Sequence, residues 1–216
     1  MKKRTLLMTL CALLTFSSCI FDWEEEEVEP KTVGFVTCYT DTAGHVEVIQ
    51  DDMGNRYLVE ENDQKLFPDT SYRMICSYTI SEKKTVKILQ MMQVGSGIVS
   101  GKMIFNAAEE REFGQSGIKD DPVFVTMAYP GSGYLNITLG IKVATSKSVH
   151  DVQVVRLNDP QKLTFTVYHD AAGELDGYTK TLYLSVPLTG YNLNKGDTIR
   201  LTCRGYDKDY DLKMVY

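Results

Sequence analysis

An all-β fold in two parts, a small five-stranded OB-type barrel followed by an Ig-like β-sandwich, is what this 216-residue sequence predicts. Two observations carry it. From Val33 onward, β-branched and aromatic runs alternate with turn punctuation, and no segment sustains a 3.6-residue apolar period. The composition agrees: 43% hydrophobic residues, with 13 Tyr and 8 Phe against 6 Pro, belong to a folded chain able to build a core. The length suits two small domains, on a scale of roughly 100 to 200 residues per domain.

The first element is a targeting signal, residues 1–18. Lys2, Lys3 and Arg4 form a positive n-region, Thr5 to Phe16 an apolar segment, and Ser17-Ser18 supply small residues before Cys19. The apolar segment is shorter than the roughly 20 residues a membrane span needs. Ser-Ser-Cys resembles the lipobox of bacterial lipoproteins, whose cysteine receives lipid before cleavage, so Cys19 is the expected lipidation site. Phe16 stands where Leu is more usual. Cys11 lies inside the apolar segment, with Leu13 and Leu14 still to come, and does not compete.

Residues 19–32 then read as a lipidated acidic tether. Asp22, Glu24 to Glu27 and Glu29 face one base, Lys31, which makes a solvated, self-repelling stretch. The run is also similar to the surface-export signal of lipoproteins in one Gram-negative phylum. That similarity implies an outer-membrane lipoprotein exposed at the cell surface; a periplasm-facing protein is the alternative. Removing the signal takes away three bases and no acid, moving the formal net charge from −6 to −9. Such a chain offers no basic field for phosphates, so nucleic acid is not an expected partner.

Residues 33–95 form the predicted barrel. Candidate strands run Val33 to Tyr39, His45 to Gln50, Arg56 to Glu60, Tyr72 to Ile80 and Thr85 to Val94. Between them lie Thr42-Ala43-Gly44, Asp52-Met53-Gly54-Asn55, a polar stretch with Pro68, and Ser81 to Lys84. Five short strands in so little chain suit a closed barrel of the OB type. Gly95-Ser96-Gly97 marks the boundary.

Residues 96–216 form the predicted sandwich. A loosely patterned opening contains the one candidate helix, Ala107 to Glu112. Strands follow at Val123 to Tyr129, Tyr134 to Val143, Val149 to Leu157, Leu163 to His169, Tyr178 to Pro187, Thr198 to Tyr206 and Leu212 to Tyr216. Alternating stretches such as Leu163-Thr164-Phe165-Thr166-Val167 bury one face, and regular spacing favours a sandwich.

Four stretches together resemble the NigD-like lipoproteins: Asp52 to Leu58, Asp69 to Ile80 with Tyr72-Arg73-Met74-Ile75, Gly133-Tyr134-Leu135-Asn136-Ile137, and Leu163 to Asp170 with His169. Their order and the domain pairing carry the resemblance, over about Val33 to Tyr216. It implies an N-terminal OB domain and a C-terminal β-sandwich, and an immunity role against a bacteriocin. It implies no catalytic residues.

The search for chemistry is largely negative. His45, His150 and His169 lack metal-ligand spacing, so no metal is expected; His169 reads as a strand-end residue satisfying turn backbone. No G-x-S-x-G occurs, and nothing nominates a carboxylate pair for glycoside cleavage. Asp207, Asp209 and Asp211 alternate like the start of a calcium loop but lack its Gly and Glu, which favours a polar hairpin. Cys38, Cys76 and Cys203 remain after lipidation; each sits in an apolar strand and reads as a buried thiol, with a Cys38–Cys76 disulfide the alternative. Asp41-Thr42-Ala43 resembles an O-glycosylation acceptor at Thr42, and also reads as a simple Asx turn. No cofactor is expected. The sequence therefore reads as a non-enzymatic, lipid-anchored binding or scaffolding module whose partner is a protein or a glycan. An immunity lipoprotein and, further off, an enzyme acting on envelope polysaccharide are the alternatives.

Overall fold

The computed structural model describes residues 30–60, 65–94, 103–104, 119–157, 159 and 162–216. The signal peptide, Cys19, most of the acidic tether, the Gly95-Ser96-Gly97 boundary and the candidate helix all lie outside them. The described chain folds as thirteen strands.

Five strands make the barrel: β1 (Thr32–Thr40), β2 (Val46–Asp51), β3 (Arg56–Val59), β4 (Ser71–Ile80) and β5 (Thr85–Gln93). They close in the order β1-β2-β3-β5-β4, with β4 pairing back to β1 and β3 running parallel to β5. Alternation explains the core. Inward positions of β1, β2 and β4 place Val36, Cys38, Val46, Ile49, Met74, Cys76 and Tyr78 in one buried cluster with Val86.

The sandwich pairs a five-stranded sheet with a three-stranded one. The larger has the order β13-β12-β10-β9-β6, from β6 (Met103–Ile104), β9 (Asp151–Leu157), β10 (Leu163–Asp170), β12 (Thr198–Cys203) and β13 (Tyr210–Val215). The smaller has the order β11-β8-β7, from β7 (Phe124–Gly131), β8 (Tyr134–Val143) and β11 (Tyr178–Pro187). The expected strands are all present, and β6 adds an eighth within the loosely patterned opening. The β7–β8 turn is tighter than its four-residue signal suggests: β7 runs through Pro130 and Gly131, and Ser132-Gly133 alone reverse the chain with φ of 49° and 81°. Two positive φ values match the hairpin twist of a type I′ turn.

Strand β8 shows why the two domains sit together. Its odd residues, Leu135, Ile137, Leu139, Ile141 and Val143, face the other sheet and are buried with Phe165, Ile199 and Leu201. Its even residues Asn136 and Thr138 are polar yet also buried, with Asn136 turned to the barrel. One strand thus serves the sandwich core and the domain junction.

Candidate functional site

The junction is built from the β2–β3 hairpin upward. Asp51 ends β2 and its carboxylate accepts from the backbone N–H of Met53 (3.0 Å) and Asn55 (2.8 Å) and from the Asn55 amide (2.9 Å). With Gly54 at φ 87°, this Asx-type turn is fixed locally and carries the side chain of Asp52 toward the sandwich. Gly131 permits the close approach: a Cβ there would lie 2.8 Å from that of Asp52.

Asp52 meets Arg73 of β4 in an ion pair whose side chains are only 13% and 8% exposed. The other Asp52 oxygen accepts from the Tyr129 hydroxyl (2.6 Å) and from Asn136 Nδ2 (3.1 Å). Arg73 also donates to Asn136 Oδ1 (2.8 Å), Ser185 Oγ (3.2 Å) and Thr37 Oγ1 (3.3 Å). Ser185 donates to Asn136 Oδ1 at 2.5 Å. The guanidinium lies 4.5 Å from the Tyr134 ring centre and 5.6 Å from that of Phe35. Burial, then the hydrogen bond to Asp52, pushes the Tyr129 phenol well above its usual range. A desolvated ion pair is tolerable only when its remaining hydrogen-bonding positions are filled. Here strands of both domains fill them, and Gln50 donating to Ser132 (2.8 Å) adds a further link.

A second polar cluster joins two histidines that are nineteen positions apart in sequence. His169 is fully buried, and its Nδ1 lies 3.1 and 3.2 Å from the carbonyl oxygens of Asp121 and Pro122. Carbonyls only accept, so Nδ1 carries the hydrogen. In neutral His169, Nε2 is then an acceptor, and His150 Nδ1, 2.9 Å away, donates to it. Neutrality is favoured because burial, above all, pulls the His169 imidazole below its ordinary range. His150 Nε2 faces Glu174 Oε2 at 3.5 Å. The Glu174 carboxyl is held low by hydrogen bonds from Ser148 and the Ala144 N–H.

An apolar groove of about 470 Å3 runs past this cluster, lined by Met92, Val149, His150, Lys180, Leu182 and Tyr183. Met92 belongs to the barrel and the rest to the sandwich, so the groove continues the junction outward. A more polar cleft of about 730 Å3 lies at another edge, beside Arg156, Lys162 and Tyr191.

The other sequence candidates fall apart from these. Thr42 is exposed in a turn whose Asp41 carboxylate accepts from the N–H groups of Ala43 and His45, the Asx geometry anticipated for it. Cys38 and Cys76 are buried free thiols with sulfurs 4.0 Å apart, and Cys203 is also buried and free. Asp211 is taken up by Arg200 at 2.7 and 3.0 Å, and Asp209 accepts from the Gly205 N–H, so the aspartates do not converge. Among the described residues no group of three or more His, Cys, Asp or Glu is placed to hold a metal. His169 does satisfy backbone, as a strand-end residue should. Its pairing with His150 carries no sequence signal, because the β9–β10 antiparallel register and the loop before β9 create it.

The family model for the NigD-like C-terminal beta sandwich domain matches residues 104–215, just over half of the chain. Among solved structures, a NigD-like immunity protein from Bacteroides caccae ATCC 43185 superposes with a TM-score of 0.67 at 27% identity, covering 84% of this chain and 90% of that one. A candidate toxin-related protein from Parabacteroides distasonis ATCC 8503 gives 0.65 at 16% identity, covering 87% and 93%. A candidate lipoprotein from Bacteroides fragilis NCTC 9343 gives 0.57 at 13% identity, covering 87% and 96%. The latter two likenesses concern the fold alone. No curated protein matches the chain.

Proposed function

The chain belongs to the NigD-like family, and on that premise we propose that it is a lipid-anchored, non-enzymatic binding module of the cell envelope. Cys19 would carry the lipid, the acidic run would hold the body away from the membrane, and barrel and sandwich would present one rigid surface to a protein or glycan. The observation that carries this reading is the Asp52–Arg73–Asn136–Ser185 junction. Its polar groups are spent on each other, which suits a device for fixing two domains rather than one for turning over a substrate.

A second reading, immunity against a secreted antimicrobial, is favoured by the name of the Bacteroides caccae relative. One experiment bears on both. Crosslinking on intact cells, with recovery of the mature protein, should yield a stoichiometric envelope partner that disappears when Cys19→Ala mislocalises the chain. Recovery of a secreted peptide instead, with deletion sensitising the producer, would favour immunity. Failure to recover any partner, with Cys19→Ala leaving the chain in the membrane fraction, would overturn the anchored binding module.

A further inference from the structure

We propose that the polar cleft beside Arg156, between β9, the start of β10 and the β11–β12 loop, binds a uronic-acid unit of an acidic glycan. The proposal rests on the reading of the chain as a binding module and commits this cleft to a glycan. Arg156 leads there. Its guanidinium carbon sits 4.9 Å over the Tyr191 ring centre, and Tyr191 is itself met edge-on at 5.8 Å by the buried Phe165. Among the described residues no carboxylate forms an ion pair with Arg156, and its Nε is buried without a hydrogen-bond partner. Arg73 and Arg200, the other described arginines that are partly buried, are both neutralised by aspartates, Asp52 and Asp211. A partly desolvated cation with no counter-charge is unfavourable, so an anionic group belongs beside Arg156.

The rest of the cleft decides which anion. At about 730 Å3 it falls within the roughly 300–1,000 Å3 of small-molecule sites. Lys162, exposed at its rim, adds a second cation. Asp159 and Asp197 line it too, and each holds the protein with one oxygen: Asp159 Oδ2 accepts from Thr164 Oγ1 (3.2 Å) and Asp197 Oδ2 from the Asn194 N–H (2.7 Å). These carboxylates disfavour a bare polyanion such as phosphate, yet with the Asn192 amide they can accept from hydroxyl groups. One carboxylate for Arg156 and Lys162, with hydroxyls around it for Asp197 and Asn192, is the pattern of a sugar acid. Because Nε is enclosed, that carboxylate would meet the guanidinium along its Nη1–Nη2 edge.

The wall that carries Tyr191 and Asn192 is fixed in advance. Leu188 N–H donates to the Gly133 carbonyl (2.8 Å), Tyr191 N–H to that of Leu188 (3.2 Å), Gly196 N–H to that of Tyr216 (2.9 Å) and Tyr216 N–H to that of Asp197 (2.9 Å). A loop tied at both ends in this way loses little freedom when a ligand binds.

The test is calorimetric titration of the detergent-solubilised full chain with the trisaccharides of galacturonic and of glucuronic acid, beside their methyl esters and inorganic phosphate. We expect at least one of the two acids to bind at one site per chain, with its methyl ester weaker by more than about tenfold, as loss of a charge-assisted hydrogen bond implies. Arg156→Gln should weaken binding by a similar factor, and Lys162→Glu by about fivefold. Because Lys162 is at the surface, its variant decides the matter even if Arg156→Gln does not fold. No binding by either acid, equal binding of the methyl ester, displacement by phosphate or by a tetrapeptide with a free C-terminal carboxylate at matched concentration, or unchanged affinity in Lys162→Glu would each overturn the site. Crosslinking on cells reads the module separately: a protein partner recovered there, with no sugar acid bound here, strikes the glycan and keeps the binding module.

Discussion

Arg73 donates from Nη2 to Asn136 Oδ1 across 2.8 Å, linking the barrel to the sandwich over 63 positions of sequence. Asn136 is fully buried, so this bond exists only while the domains are docked. Asp52 completes the arrangement by neutralising Arg73. Asp52→Ala should therefore strand a buried guanidinium and cost about 3–5 kcal/mol. Adding Arg73→Met removes the stranded charge and should recover part of that loss. Urea unfolding of the wild type, both single variants and the double variant measures the coupling. Simple additivity would show that the pair does not act as a unit.

The barrel and sandwich were legible because their strands alternate. Leu163 to Val167 announced one buried face, and Pro187, at the end of β11, and the Ser132-Gly133 turn lie where chain reversals allow them. The junction was half legible. Asp52, Arg73 and Asn136 all fell within the stretches that resemble the NigD-like proteins, yet nothing local says that a polar Asn at an even position of β8 is buried. That burial comes from the barrel, not from the strand. His150 was less legible still, since its environment is assembled from β10, the segment before β7 and the loop that carries Glu174.

Burial rather than hydrophobicity decides what a phenylalanine is worth here. Phe165 is 1% exposed within the sandwich core and meets Tyr191 edge-on at 5.8 Å. Phe67, outside any strand, is 79% exposed. Phe165→Ala should cost about 3–5 kcal/mol through lost burial and the cavity left behind. Phe67→Ala should stay within about 0.5 kcal/mol of wild type. Equal losses in chemical denaturation would contradict this assignment of the core.

The cysteines should be silent to alkylation in the native protein. Burial pushes the Cys203 thiol up to about 12. Cys38 is raised still further, first by its hydrogen bond to Cys76 and then by burial. The thiolate is the reactive species, and Cys38 and Cys203 present almost none of it near neutral pH, while Cys76 is shielded by its burial. Iodoacetamide followed by peptide mapping should label none of Cys38, Cys76 and Cys203 in buffer and all three in urea. Cys38 and Cys76 resisting reagent in urea until a reductant is added would instead reveal a disulfide.

Asp41 sets an acid limit on the first turn of the barrel. Its Oδ1 accepts from the backbone N–H groups of His45 and Ala43, both at 2.8 Å, and the His45 N–H is the main reason its carboxyl is held below the ordinary range. A carboxyl depressed in the folded state adds stability above its unfolded value, about 3.9. That contribution drains away as pH falls through this value toward the folded one. Asp41→Asn keeps an acceptor oxygen but does not titrate. The stability difference between wild type and Asp41→Asn should thus shift against the wild type as pH falls from about 5 to below about 4. Urea unfolding across that range reads it directly; a difference independent of pH would mean that the carboxylate does not hold the turn.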